Sequence, residues 1–209
     1  YSGTFNNGTI SLTPTRTGTK ASARGFNLVG NPYPSYLNWK SAEITKTNIR
    51  QTIWFRTLSK NSANGTMVFD TYDGTVGTGN GETGVVSQYI PPMQGFWVKV
   101  DTDNKAASLI FRNAARLHQD VPANVIKTPS EENNGIQILR LKVNTPATGD
   151  ETIIVGNSSA TDDYASFDSD KMSNTDPSVP EIFTLASGHE LVINHLNRIS
   201  ADKTLALGF

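Results

Sequence analysis

Residues 25–36 of the chain read GFNLVGNPYPSY. Phe26, Leu28 and Val29 are residue types favoured in strands, and Gly30 interrupts the apolar run directly after them. Each of the two prolines that follow fixes its own φ at about −65° and keeps the preceding residue out of the α region. The stretch therefore predicts a strand that ends in a rigid corner, which is typical of an all-β protein.

The clearest further strand covers residues 94–100. Phe96 and Val98 alternate there with Trp97 and Lys99, so the two pairs are expected on opposite faces of a sheet. Only 18% of the residues are charged and 17 are glycine, which favours short strands joined by tight turns. These features predict an all-β fold with two β-sandwich domains in tandem, of the jelly-roll or immunoglobulin-like kind.

The domain boundary is predicted from a change in composition. Residues 1–118 form the first sandwich, and residues 119–134, with two prolines and a polar end, read as a linker. Residues 135–209 form the second sandwich, with strands predicted at 136–143, 152–155, 181–185, 190–196 and 204–207. This second sandwich is short of strands and is expected to be truncated, with an exposed edge. Either more protein follows or a partner supplies the missing strand.

The first strand of the second domain is expected to be amphipathic. Leu139, Leu141 and Val143 are predicted to face a core, and Arg140 and Lys142 are predicted to face water.

Several motifs together indicate a family. The runs GFNLVGNPYPSYLNW, TIWFRT, FDTYDG, YIPPMQGFWVKV and LIFRNAARLH resemble a repeated module of large secreted and surface proteins of Bacteroidetes, the cargo of the type IX secretion system. The resemblance covers about residues 1–118, and a second one runs from about Gly135 through FDSDKM and DPSVPEIFTL. It implies a β-sandwich upstream of a C-terminal sorting domain, located outside the cell or on the outer-membrane surface.

Composition excludes several function classes. The formal net charge of −1 provides no field for binding nucleic acid or an anionic membrane. The chain has no cysteine, so neither disulfides nor thiolate metal sites are expected. There is neither an apolar run of about 18 residues nor a signal peptide. Because the chain opens and closes on strand-like sequence, it is interpreted as a piece of a larger protein.

No catalytic set is predicted. His189 and Glu190 begin like a zinc-protease motif, but the next histidine is His195, about 20 Å further along a strand at roughly 3.3 Å per residue. His118 stands alone near the linker. There is no Gly-x-Ser-x-Gly nucleophile elbow, and the glycine-rich run TGNGETG lacks the lysine of a phosphate-binding loop. We therefore expect no enzyme activity and no cofactor.

An acidic run offers one candidate metal site. Asp162, Asp163, Asp168 and Asp170 lie within TDDYASFDSDKM, and carboxylate oxygens are the ligands that calcium prefers. The run lacks the spacing of a calcium-binding helix-loop-helix, and the alternative is a loop that Phe167 and Met172 pin to the core as apolar anchors.

Aromatic residues of the first domain offer a candidate ligand site. Trp39, Tyr72 and Trp97, with Asp73 at a turn, are the residue types that stack on sugar rings and bind their hydroxyls. The alternative is that the rings fill the core, and Trp97 is the better candidate for exposure because it lies opposite the apolar face of its strand.

The predicted function is that of a non-catalytic structural spacer or interaction and adhesion module. One alternative is a carbohydrate-binding module attached to a secreted hydrolase, and another is a strand-complemented assembly partner in an outer-membrane complex. The expected partners are other modules of the same polypeptide, a glycan or a surface protein, with no nucleic acid and no membrane span.

Overall fold

The computed structural model describes residues 3–20, 23–59, 65–80, 86–117 and 135–209. In these residues the regular structure consists of strands and one 3₁₀ turn at Asn113–Ala115, so the all-β prediction is confirmed. The predicted linker, residues 119–134, and His118 lie outside the described residues. The strands are β1 Ile10–Leu12, β2 Phe26–Gly30, β3 Tyr36–Asn38, β4 Ile44–Thr47, β5 Ile49–Leu58, β6 Met67–Asp73, β7 Thr78–Asn80, β8 Tyr89–Ile90, β9 Gly95–Val100, β10 Ser108–Phe111, β11 Arg116–Leu117, β12 Gln137–Asn144, β13 Gly149–Gly156, β14 Ser169–Asp170, β15 Phe183–Ala186, β16 His189–Leu196 and β17 Ala206–Gly208.

The first unit is built on a five-stranded antiparallel sheet in the order β2-β9-β5-β6-β7. Two three-stranded sheets, β1-β10-β4 and β11-β3-β8, contribute residues to the same apolar core. Phe96 and Val98 of β9 enter this core and are fully buried, as the alternation of the sequence predicts. We call this side of the five-stranded sheet the core face and the opposite side the outer face.

The proline corner after β2 joins these sheets. Asn31 is buried, and its amide donates to the carbonyls of Ser35, Ile90 and Pro91 while its side-chain oxygen accepts from the Tyr33 amide. The Tyr33 hydroxyl donates to the Phe111 carbonyl at 3.1 Å. Side-chain hydrogen bonds therefore tie the corner to main-chain carbonyls of β8 and β10.

The second unit is one six-stranded sheet in the order β12-β13-β16-β15-β17, with β14 also pairing with β16. β13 and β16 run parallel, and the other pairs are antiparallel. The five strands predicted from the sequence are present, and the short strand β14 is the one that was missed.

The prediction for β12 is wrong in one respect. Leu139 is 44% exposed, and Leu141 and Val143 are only half-buried. β12 is an edge strand, and the buried centre of the sheet is its neighbour β13, whose residues are all buried. The alternation assigns the two faces of β12 but cannot show whether either is covered.

The six-stranded sheet contacts the outer face of the first unit. Val76 packs against the small apolar cluster around Ile153 and Ile193, and Arg140 donates to the Thr78 hydroxyl at 2.7 Å. Among the described residues, the second unit has no second sheet of its own. It buries one side against the first unit instead.

Candidate functional site

A buried ionic cluster lies where the two units meet, centred on Asp170 of β14. The Asp170 side chain is 2% exposed. Its Oδ2 accepts from Arg50 Nη1 at 3.1 Å, and its Oδ1 lies 2.7 Å from Lys99 Nζ. The Tyr164 hydroxyl is 3.0 Å from both carboxylate oxygens. One carboxylate of the second unit therefore meets two cations of the first.

Strand alternation places these cations. Lys99 lies between the core residues Val98 and Val100 of β9, so its side chain points to the outer face. Arg50 lies within an irregularity in the pairing of β5 with β9, between Ile49 and Ile53. Both side chains are at most 3% exposed. The sequence predicts the direction of Lys99, but not that another sheet covers it.

Main-chain groups complete the junction. Arg50 Nη1 donates to the Asp168 carbonyl at 2.7 Å, and Trp54 Nε1 donates to the Asp170 carbonyl at 3.0 Å. The hydroxyls of Thr52 and Ser169 lie 2.8 Å apart. The short strand β14 is thus held by side chains of β5 along its length.

Burial and charge pairing set the electrostatics of the cluster. Burial by itself would lower the pKa of Arg50, but the carboxylates of Asp170 and Asp101 raise the pKa above its ordinary value. Burial lowers the pKa of Lys99, with the Asp170 charge opposing this shift. Burial also raises the pKa of the Tyr164 hydroxyl. Each of these three side chains contacts the Asp170 carboxylate, so the geometry suits a structural junction.

A second polar pair joins the units at His195. Its Nε2 lies 2.8 Å from Asp73 Oδ2, and both side chains are fully buried. Asp73 also accepts from the Thr75 amide, and Asp168 Oδ1 accepts from the His195 amide at 2.8 Å. Burial raises the pKa of Asp168 despite these donors. The carboxylate of Asp73, a candidate ligand-binding group from the sequence, is therefore already bonded to His195 in the protein interior.

The other candidate ligand residues differ in position. Trp39 is fully buried, and its Nε1 donates to the Gln51 carbonyl. Tyr72 is 4% exposed. Trp97 is half-buried and is the member of the predicted set that reaches the surface. The structure therefore does not bring the four residues together at one open site.

The four aspartates of the calcium hypothesis also do not share one site. Asp162 is exposed and pairs with Lys203, and Asp163 is exposed. Asp168 and Asp170 are buried in the junction described above. Among the described residues, no group of three or more acidic or histidine side chains is placed to hold a metal ion.

The two histidines of β16 lie near its opposite ends. His189 stacks on Tyr164 with ring centroids 3.6 Å apart and an interplanar angle of 4°. Its Nδ1 lies 3.5 Å from Asp170 Oδ1. This contact places His189 at the border of the ionic cluster, whereas His195 pairs with Asp73.

An exposed apolar surface occupies part of the outer face. Leu28 lies directly opposite Trp97 in the pairing of β2 with β9, and the Trp97 and Phe69 rings meet edge to face at 5.5 Å. Leu58 and Met67 form the next pair of the β5-β6 hairpin on the same face. Leu28 is 64% exposed, Leu58 58% and Met67 37%. We call these five residues the Trp97 surface.

A hollow of about 320 Å³, which shares Leu28 with the Trp97 surface, opens between the edge strands β1 and β2. None of the described residues that line it is charged. Its lining residues are Ile10, Leu12, Thr13, Pro14, Asn27, Leu28, Val29, Gly30 and Pro32.

Within the described ranges, no helix is long and apolar enough to cross a membrane.

The comparisons with known proteins identify the family of this chain, and the function of that family is unknown. A family model described as a domain of unknown function (DUF8693) matches residues 1–209. The chain belongs to this family. The searches of curated proteins and of solved structures found no match. The match extends over both β units.

Proposed function

We propose that this chain is a non-catalytic, rigid two-unit module that serves a larger secreted or cell-surface bacterial protein as a spacer and interaction element. The observation that carries the proposal is the Asp170 cluster, in which a carboxylate of one unit is buried between two cations of the other. Buried pairs of this kind stabilise little in net terms, but they are costly to break. They therefore favour one relative orientation of the two units.

The arrangement of the titratable groups supports a non-catalytic role. Asp170 is enclosed by Arg50, Lys99 and Tyr164, and Asp73 is enclosed with His195. A catalytic acid or base must reach the substrate in an open site. These side chains face one another between two sheets and bond to one another within the junction.

Export and surface location are part of the proposal and rest on the motif resemblance in residues 1–118. An extracellular spacer has to keep its shape without help from disulfides in this cysteine-free chain. Two β units joined by buried polar contacts meet that requirement.

The rigidity is tested by distance measurements between spin labels. The chain has no native cysteine, so Lys105→Cys in the first unit and Ser159→Cys in the second, both at exposed positions, give one labelled pair across the junction. The matched control is Lys40→Cys with Lys105→Cys, a pair of exposed positions within the first unit.

We expect a single distance distribution across the junction that is as narrow as the one within the first unit. Adding Asp170→Asn should broaden the first distribution and leave the second unchanged. A broad or bimodal distribution across the junction of the unaltered scaffold would contradict the proposal, because the units would then move independently.

A further inference from the structure

We propose that the Trp97 surface is a self-association site that packs against the same surface of a second copy of this chain. This inference goes beyond the rigid coupling of the units and does not depend on it.

The surface has the chemistry of an interface core. Aromatic residues, methionine and arginine are enriched at the centres of protein interfaces, and Trp97, Phe69 and Met67 lie here with Arg56 stacked 4.5 Å over Phe69. Among the residues that the structure describes, the surface carries no acidic side chain. Soluble proteins rarely leave a contiguous group of large apolar side chains in water without a binding role.

The surface continues an interface that already exists within the chain. Trp54, opposite Trp97 in the β5-β9 pairing, is fully buried, and its Nε1 donates to the Asp170 carbonyl of the second unit. Arg56, two residues further along β5, donates to Asn174 at 2.8 Å. The outer face is therefore a sheet-packing face, of which the second unit covers only a part.

A second copy fits this surface better than a glycan does. A sugar ring offers many hydroxyls, which need hydrogen-bonding side chains beside the aromatic platform. The neighbours of Trp97 are instead Leu28 and Phe69, and Arg56 is already bonded to Asn174.

The same apolar patch on two copies, with Arg56 at its border held by Asn174, is self-complementary about a two-fold axis. The net charge of −1 leaves little repulsion between copies. Two sheet faces pack about 10 Å apart, the separation that interdigitating side chains of this size fill.

The test is sedimentation equilibrium of the chain from about 1 μM to about 1 mM, the range in which small interfaces associate. We expect the weight-average mass to rise with concentration from 22.7 kDa toward twice that value. Leu28→Lys and Leu58→Lys place a charge in the contact and should keep the chain monomeric throughout. The matched control is Leu139→Lys, an exposed leucine on the second unit, which should associate like the unaltered chain.

Three results would overturn the proposal. The first is a monomer of 22.7 kDa at every concentration, and the second is association that survives both Leu28→Lys and Leu58→Lys. The third is a monomer whose tryptophan fluorescence shifts on titration with cellohexaose and no longer does so in Trp97→Ala, which would assign the surface to glycan binding. None of these results alters the spin-label distances, so failure here is distinguishable from failure of the rigid-module proposal.

Discussion

Replacing Asp170 with asparagine is the sharpest test of the junction between the units. The substitution keeps the size of the side chain, so it opens no cavity, but it removes the negative charge between Arg50 and Lys99. Arg50 keeps Asp101 at 2.9 Å and the Asp168 carbonyl at 2.7 Å. The loss of the negative charge therefore affects mainly Lys99, whose remaining favourable contact among the described residues is the Phe26 ring at 4.9 Å.

The expected cost follows from the burial of Lys99, which is fully shielded from solvent. Removing one partner of a buried ion pair costs about 3–5 kcal/mol, because the remaining charge is left without compensation. At about 2–4 °C per kcal/mol for a chain of this length, the melting temperature should fall by about 6–20 °C. Burial already lowers the pKa of Lys99, and loss of Asp170 should lower it further.

The assay is urea denaturation at neutral pH followed by tryptophan fluorescence, since Trp54 bonds to the Asp170 carbonyl. Asp163→Asn, the same change at an exposed position of the same loop, should leave the midpoint unchanged. Adding Lys99→Met to Asp170→Asn should recover much of the stability, because methionine needs no counter-charge. A loss below about 1 kcal/mol for Asp170→Asn, or no recovery in the double variant, would refute the reasoning.

Three further predictions concern single residues. Burial lowers the pKa of Lys46 to about 8, so the unfolded chain binds more protons than the folded chain above that pH. The free energy of unfolding should therefore rise from about pH 8 to pH 10, and the rise should be smaller in Lys46→Met when unfolding is measured across this range. Both amide atoms of buried Asn194 lack a hydrogen-bond partner among the described residues, so Asn194→Leu should raise the free energy of unfolding by about 1–3 kcal/mol, and a loss of stability would contradict this. A β-carbon on Gly74 would lie 2.7 Å from the Gln51 carbonyl oxygen, so Gly74→Ala should lower the free energy of unfolding by about 1–3 kcal/mol in thermal unfolding. The control Gly3→Ala, whose β-carbon would meet no atom within 4 Å, should leave it unchanged.

The sequence predicted the parts of the molecule that depend on local patterns. The alternation in residues 94–100 assigned Phe96 and Val98 to one face and Lys99 to the other, because successive side chains of a strand point to opposite sides. Glycine and proline located the corner after β2, since both act through the local backbone. Five strands of the second unit were found in the same way.

The candidate site depended on what covers each face, and local patterns do not contain that information. Trp39 and Tyr72 proved to be buried, and Asp73 proved to pair with His195. An acidic loop read as a possible calcium site supplies Asp170 to a junction with Arg50, 120 residues away in the chain.

The sequence by itself determined the corner after β2, the two faces of β9 and five strands of the second unit, because these follow from backbone geometry over a few residues. Only the tertiary structure decided that a second sheet lies on the outer face of the first. That packing makes Lys99 and Asp170 buried partners and leaves Trp97 and Leu28 at the surface. The free energy of a charged or aromatic side chain depends on which residues shield it from water. In this protein the shielding residues belong to a segment distant in the chain, so a local sequence pattern does not contain this information.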